Sequence, residues 1–151
     1  MQQPQVRKLL QTGNGYEKSF LKADMHGAYL KGVNLEEANL KQADLSDAIL
    51  HDANLKNVNL TDTLAIGTDF TGAYLTGACL EAWNIDSSTI LDRVDCQYIF
   101  LLEKCNVRGS RERRPHDSYK TFDPGDFEKL YQQLMDTVQL LLKNGVNPEA
   151  F

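Results

Sequence analysis

From Phe20 to Ile85 a large apolar residue recurs at every fifth position, and that period leaves the backbone few ways to run. The column reads Phe20, Met25, Leu30, Leu35, Leu40, Leu45, Leu50, Leu55, Leu60, Ala65, Phe70, Leu75, Leu80 and Ile85, with Ala65 its one small member. Two places earlier stands Ala, Val or Thr in twelve of the fourteen units, and between the two columns stands Asp or Asn in eight. An α-helix would smear a five-residue period around its whole circumference, and a flat strand would need unbroken alternation. Two inward positions separated by one residue, then two polar residues, describe instead a short extended piece followed by a corner. Gly27, Gly32, Gly67, Gly72 and Gly77 all fall two places after the large residue, at that corner, where glycine relieves the steric limits on a tight turn.

The run ANLKQADLSDAILHDANLKNVNL, Ala38 to Leu60, resembles the A(D/N)LXX motif of the pentapeptide-repeat family almost verbatim. The resemblance implies an all-β solenoid: a right-handed, quadrilateral parallel β-helix with twenty residues per coil. The large residue would fill its centre and the small one would pack beside it. About four coils spaced by roughly 4.8 Å give a tower on the order of 20 Å tall. The stretch from Trp83 through ERRP and PGDF to the end resembles the C-terminal extension of many cyanobacterial members.

After Ile85 the pattern resumes as Thr89/Leu91, Val94/Cys96 and Ile99/Leu101, so one extra residue lies among Asp86, Ser87 and Ser88 and is read as a corner bulge. Trp83 stands in the small column, which requires the core to widen or end there. Both ends of a stack expose core and unpaired backbone, and both flanks read as covers. Residues 1–17 form an N-terminal cap, with Val6, Leu9 and Leu10 on a short helix stopped by Gly13 and Gly15. Residues 18–105 form the repeat, and residues 106–151 a basic loop and a C-terminal capping helix, all within one compact domain. That helix is expected to take Asp123 as N-cap and Pro124 as first residue, and to stop at Gly145 with Pro148 beyond. Its apolar stripe, Phe127, Leu130, Tyr131, Leu134, Val138, Leu141 and Leu142, is expected to cover the last coil near Trp83, Tyr98 and Phe100.

Chemistry is sparsely written. His26 and His51 each follow an inward residue and are read as solvated and unpartnered, as is His116 in the basic loop. Cys96 lies in the inward column, Cys79 faces outward beneath Phe100, and with Cys105 they form neither a metal-ligand spacing nor a disulfide framework, which suits the cytoplasm. Neither a nucleophile motif nor a phosphate loop is present, so the chain is read as a non-enzyme with no cofactor and no metal. No stretch of about 18 apolar residues could span a bilayer, and Met1 to Gln11 lacks the design of a secretory signal.

The expected function is a rigid surface for a protein partner of unknown identity. Candidate contact residues are Tyr29, Ile49, Leu64 and Tyr74, each an apolar group at the outward position that otherwise holds Asp or Asn, and Arg111, Arg113 and Arg114 of the basic loop. The alternative drawn from the family resemblance is mimicry of duplex DNA toward a type II topoisomerase such as gyrase. The net charge of -5 argues against direct nucleic-acid binding. Between Lys18 and Leu102 twelve acidic residues face six basic ones, whereas a duplex of about 20 Å carries roughly twelve uninterrupted charges.

Overall fold

A computed structural model describes residues 3–144, with side chains through Thr137. The five-residue units become single-residue stations of parallel pairing, each joined to the stations twenty residues before and after it. They fall into four columns: Asn14, Asn34, Asn54, Tyr74 and Asp95; Ser19, Asn39, Asn59, Cys79 and Phe100; Asp24, Asp44, Leu64 and Asn84; Tyr29, Ile49, Asp69 and Ile90. Leu35 N–H donates to Asn54 O at 2.8 Å and Asn54 N–H to Val33 O at 2.9 Å, and the pattern repeats up the stack. A station is one residue long because the chain turns immediately afterwards. The Ala38 N–H closes on Leu35 O at 3.0 Å, with Glu37 in the left-handed region at φ 60°. Gly67, Gly72 and Gly77 hold the same corner position, and there the side-chain oxygens of Asp47, Asp52 and Asn57 fill the space that a Cβ would need.

Between the columns the core is dry. Leu30, Leu35, Leu40, Leu45, Leu50, Leu55 and Leu60 are fully buried, together with Ala43, Ala48 and Ala53. Threonine enters the small column because its hydroxyl finds a carbonyl within the wall. Thr63 Oγ1 donates to Leu40 O at 2.8 Å and Thr68 Oγ1 to Leu45 O at 2.7 Å. Among the described residues no buried side-chain nitrogen or oxygen lacks a partner. The extra residue at Asp86 to Ser88 moves the pairing offset from twenty at Leu64 and Asn84 to twenty-one at Asp69 and Ile90, as the register shift in the sequence requires.

Helix α1, Pro4–Thr12, closes the lower end with Val6 and Leu9 buried, and stops at Gly13, whose N–H bonds Leu9 O with φ 69°. It also supplies acceptors to the open backbone edge: Asp24 N–H donates to Gln3 Oε1 at 3.1 Å and Asn14 N–H to Thr12 Oγ1 at 3.2 Å. The upper end carries α2, Asp126–Asn144. It begins later than the Asp123–Pro124 signal implies, because Gly125 stands at φ 89°, outside helical space. Asp123 and Asp126 instead close a turn on each other, Asp123 N–H to Asp126 Oδ2 at 2.9 Å and Asp126 N–H to Asp123 O at 3.0 Å.

Trp83 is the seat of α2. Its ring lies 5.3 Å from Tyr131, 6.5 Å from Phe127 and 5.9 Å from Phe70. Burial pushes the Tyr131 hydroxyl up to about 12. The Glu128 carboxylate accepts from Arg93 N–H at 2.6 Å, so α2 caps the upper backbone edge as Gln3 caps the lower. Leu134 is exposed, and the side chains of Val138, Leu141 and Leu142, with Gly145 and Pro148, lie outside the described residues. Among the described residues Tyr98 and Phe100 stack on each other, and Arg113 and Arg111 lie over their rings. The basic segment is also more than a loop: β1, Ile99–Phe100, pairs antiparallel with β2, Arg113–Arg114, matching Ile99 to Arg114 and Phe100 to Arg113.

Leu55 is fully enclosed and Lys56 is exposed, so their truncations should separate sharply. Leu55→Ala is expected to cost about 2 to 5 kcal/mol in a urea melt and Lys56→Ala less than about 0.5 kcal/mol. Equal midpoints for the two variants would reverse the assignment of the inward column.

Candidate interaction surface

The outward column is rich in Asp and Asn because such a side chain caps its own corner, as at all of these stations but Asn84 and Asp95, where the Thr89 and Thr76 hydroxyls take the corner amide instead. Asn34 Oδ1 accepts from Glu36 N–H at 3.1 Å, Asn39 Oδ1 from Lys41 N–H at 3.0 Å, Asp44 Oδ1 from Ser46 N–H at 2.9 Å and Asn54 Oδ1 from Lys56 N–H at 3.1 Å. This is the local turn chemistry for which these residues are favoured. An apolar residue at the same position forgoes that bond and presents a hydrocarbon surface instead.

Tyr29 is 66% exposed, Leu64 and Tyr74 42% each, and Ile49 half-buried. Tyr29 and Ile49 stack in one column, with Asp69 and then Ile90 above them. Ile90, 38% exposed, belongs to this group and is not among the sequence candidates. Following the outward column past the inserted residue would have found it. Leu64 stacks on Asp44, and Tyr74 on Asn54 with the Lys56 ammonium 6.0 Å from its ring, so the candidates occupy three sides of the stack.

The fourth side is covered by the chain itself, which corrects the reading of Cys79 as a solvent-facing thiol. Cys79 does lie outside the core and beneath Phe100, but it is only 2% exposed. After Phe100 the chain turns down over this column as a strap. The Glu103 carboxylate accepts from Lys41 Nζ at 2.8 Å and from Asn59 Nδ2 at 2.6 Å. These two hydrogen bonds, that to Lys41 foremost, hold the Glu103 carboxyl below the usual carboxylate range. The strap then returns as a hairpin, with Leu101 N–H donating to Glu112 O at 3.1 Å and Leu102 N–H to Arg111 O at 3.0 Å.

The arginines fasten this cover. Arg111 stacks 4.2 Å from the centre of the Phe100 ring and donates through Nε to Leu102 O at 3.2 Å. Arg113 stacks 4.8 Å from Tyr98 and donates to the carbonyls of Pro115 at 2.6 Å, Asp117 at 2.7 Å and Lys120 at 2.9 Å. Arg114 donates to Arg113 O at 2.9 Å and pairs with Glu112 at 3.3 Å. All three guanidinium groups are thus engaged within the chain, at half-buried positions.

Two histidines have partners that the sequence reading did not assign. His51 Nε2 lies 2.6 Å from Asp69 Oδ2 one coil above, and His26 Nε2 lies 3.9 Å from Asp47. Burial pushes the Asp69 carboxyl up, but the Thr71 hydroxyl, His51 and the Thr71 amide outweigh it, leaving it below its ordinary value. Grooves of about 530 and 500 Å³ flank the start of α2. The Asp86 carboxylate at the first accepts from the Ser88 hydroxyl and amide, which together hold it low, and so is already engaged. The Cys96 thiol at the second is pushed up to about 12 by burial and the Asp95 charge. The described residues contain no metal-binding group of three His, Cys, Asp or Glu.

Four columns of single-residue stations around a dry interior define a β-solenoid repeat protein. Pentapeptide repeats match residues 23–62 and 53–82, in eight copies. Similar solved structures are themselves pentapeptide-repeat proteins. One from the Arabidopsis thaliana thylakoid lumen is 21% identical, with 60% of this chain and 62% of that one covered and a TM-score of 0.57. One from Nostoc is 20% identical, with 61% and 93% covered and a TM-score of 0.51. A third, Rfr23 from the cyanobacterium Cyanothece, is 33% identical, with 52% and 57% covered and a TM-score of 0.45. The chain therefore spans under two thirds of the Arabidopsis protein. The Arabidopsis and Nostoc likenesses imply a right-handed β-helix. No curated protein matches the sequence. Among the described residues no helix is long and apolar enough to cross a membrane.

The strap makes a thiol-labelling prediction. Cys105 is exposed and should react first, whereas Cys79 and Cys96 are buried and should be protected. Glu103→Gln should accelerate labelling of Cys79 and leave Cys96 unchanged. Because the Glu103 carboxyl sits lower in the folded state than its ordinary 4.5, its contribution is present above that value and lost as pH falls through the folded one. The strap of the unaltered protein should therefore loosen only below about pH 4.5, read as faster amide hydrogen exchange at Leu101 and Leu102. Identical Cys79 rates for the two proteins at neutral pH would show that Glu103 does not fasten the strap.

Proposed function

We propose that this chain is a non-enzymatic scaffold: a rigid tower of about four coils, working in the cytoplasm, that presents fixed outward side chains to a protein partner. The observation that carries this reading is the set of outward stations where an apolar side chain replaces the corner-capping Asp or Asn and remains open to solvent, exposed at Tyr29, Leu64 and Tyr74 and half-buried at Ile49. Each such replacement forgoes a hydrogen bond worth about 0.5 to 1.5 kcal/mol, and a sequence free to optimise the tower alone would keep it. Tyr29, Ile49, Leu64 and Tyr74 are the contact residues in this reading. Arg111, Arg113 and Arg114 serve it indirectly by holding the strap in place.

A dry, filled stack suits this role because outward residues change without disturbing the core. Mimicry of duplex DNA toward gyrase is a weaker reading. Between Lys18 and Leu102 six basic side chains interrupt the twelve acidic ones, and Lys41 is engaged by the strap.

Immobilised protein should capture a partner from an extract of its source organism. A variant combining Tyr29→Asn, Ile49→Asn, Leu64→Asn and Tyr74→Asn should fold and lose at least about tenfold of that capture. Undiminished capture by the folded variant would overturn the reading. In a supercoiling assay, micromolar protein should neither inhibit nor protect gyrase, and either effect would restore the topoisomerase reading.

A further inference from the structure

The apolar exceptions in the outward column are unevenly distributed. Cys79 and Phe100 share one side, and the strap covers them. On two further sides a single exception interrupts polar stations, Leu64 among Asp24, Asp44 and Asn84, and Tyr74 among Asn14, Asn34, Asn54 and Asp95. The remaining side is apolar at three of its four stations, Tyr29, Ile49 and Ile90, and nothing among the described residues lies over it. It continues upward without a break, since Ile90 also lines the groove of about 530 Å³ beneath α2, beside Ile85, Leu91 and Tyr131.

The same side is bordered by acid. Asp47, Asp52, Asp86 and Asp92 stand at its corners and Asp69 at its third station, against Lys31 and Arg93. His26 and His51 each lie beside one of these carboxylates, Asp47 and Asp69. An occupant must therefore bring apolar side chains flanked by cations.

Spacing selects its backbone. Successive stations are separated by about 4.8 Å, whereas one face of a strand presents a side chain every 6.6 to 6.8 Å and a helix turns every ~5.4 Å. A strand laid along the column would fall out of step by about 2 Å at each station, and a helix by only about 0.6 Å. From Tyr29 to Ile90 the track runs roughly 14 Å, or about three helical turns.

Resting on the scaffold reading above, we infer that the Tyr29–Ile49–Ile90 side is the docking track for a basic amphipathic α-helix of a partner protein. The helix lays its apolar stripe along the three side chains and sets Lys or Arg against Asp47, Asp52, Asp69, Asp86 and Asp92. This is the helix-in-groove mode of recognition, with the tower supplying the anchors and the field that orients them.

The probe is a synthetic helix-forming peptide of about fourteen residues with Leu at every third or fourth position and Lys on both flanks. One control has the same composition scrambled to abolish the stripe, and another keeps the stripe with Glu in place of Lys. Titration into isotope-labelled protein should give saturable amide shifts around Tyr29, Ile49 and Ile90. Both controls should bind at least about tenfold more weakly.

Tyr29→Asn and Ile49→Asn should each weaken the probe about tenfold while the melting temperature holds or rises, because asparagine restores the acceptor for the Lys31 or His51 amide. Leu64→Asn and Tyr74→Asn should leave its affinity within about twofold. Equal binding of the scrambled peptide, shifts on another side, or unchanged affinity in the Tyr29 and Ile49 variants would overturn the inference. So would a homodimer of the unaltered chain that Ile49→Asn dissociates, since a second copy would then be the occupant. If partner capture survives Tyr29→Asn and Ile49→Asn but is lost in Leu64→Asn or Tyr74→Asn, the track falls and the scaffold stands. If no single variant nor their combination alters capture, both fall.

Discussion

The backbone ladder and the leucine column depend on each other, and everything else in the molecule is hung on that dependence. A station of one residue is too short to be a strand alone. It is held because its N–H and C=O bond the coils on either side, as Asn54 does through Leu35 N–H and Val33 O. Those bonds join residues about twenty apart in sequence, so their loop-closure entropy must be offset by burial, and the enclosed leucines supply it. The burial in turn exists only while the walls are closed. Insertions are consequently tolerated at corners alone, and the additional residue near Ser87 displaces the register without opening the ladder.

A stack with this internal logic has a problem only where the logic stops. At the lower end Gly15 holds the first place of the large column, because the Phe20 ring and the Leu35 side chain already occupy the space a Cβ would enter. At the upper end no coil lies above Trp83, so a side chain far too large for the small column becomes the platform for Phe127 and Tyr131. Each helix brings a side-chain acceptor to a backbone N–H of the edge, Thr12 of α1 and the preceding Gln3 below and Glu128 of α2 above. The termini of the stack are thus closed by the same two means, an apolar lid and a side-chain oxygen for the unpaired edge.

What repeats was legible in the sequence, and what does not repeat was not. The inward columns, the corner glycines, the inserted residue and the pairing of Cys79 beneath Phe100 all follow from counting in fives and twenties. The exposure of Cys79 does not, because its cover is fastened by Glu103 reaching Lys41 and Asn59, contacts 62 and 44 residues apart with no period behind them. The start of α2 was misplaced for a related reason: Pro124 signals a helix, but the backbone of Gly125 delays it. The partner of His51 was in principle readable. Its contact with Asp69 spans eighteen residues, the same separation as Glu36 to Asn54 and Thr61 to Cys79, so side chains two places off vertical meet across coils.

That distinction bears on the outward stations. At Asn14, Asp24, Asn34, Asn39, Asp44, Asn54, Asn59 and Asp69 the side-chain oxygen finds an amide two residues on, so an Asp or Asn there is explained by its own corner. An apolar residue there has no local explanation, and the protein contains instances of both possible fates. Cys79 and Phe100 are matched by a segment of the same chain that buries one and stacks an arginine on the other. Tyr29, Ile49 and Ile90 break the same rule in one column, Ile90 at the rim of the groove under α2, and among the described residues the chain brings no segment over them. Local stability and the observed residue disagree at these three positions in the same direction. Such a disagreement, satisfied internally on one side of a tower and left open on another, is what the proposed docking track rests on.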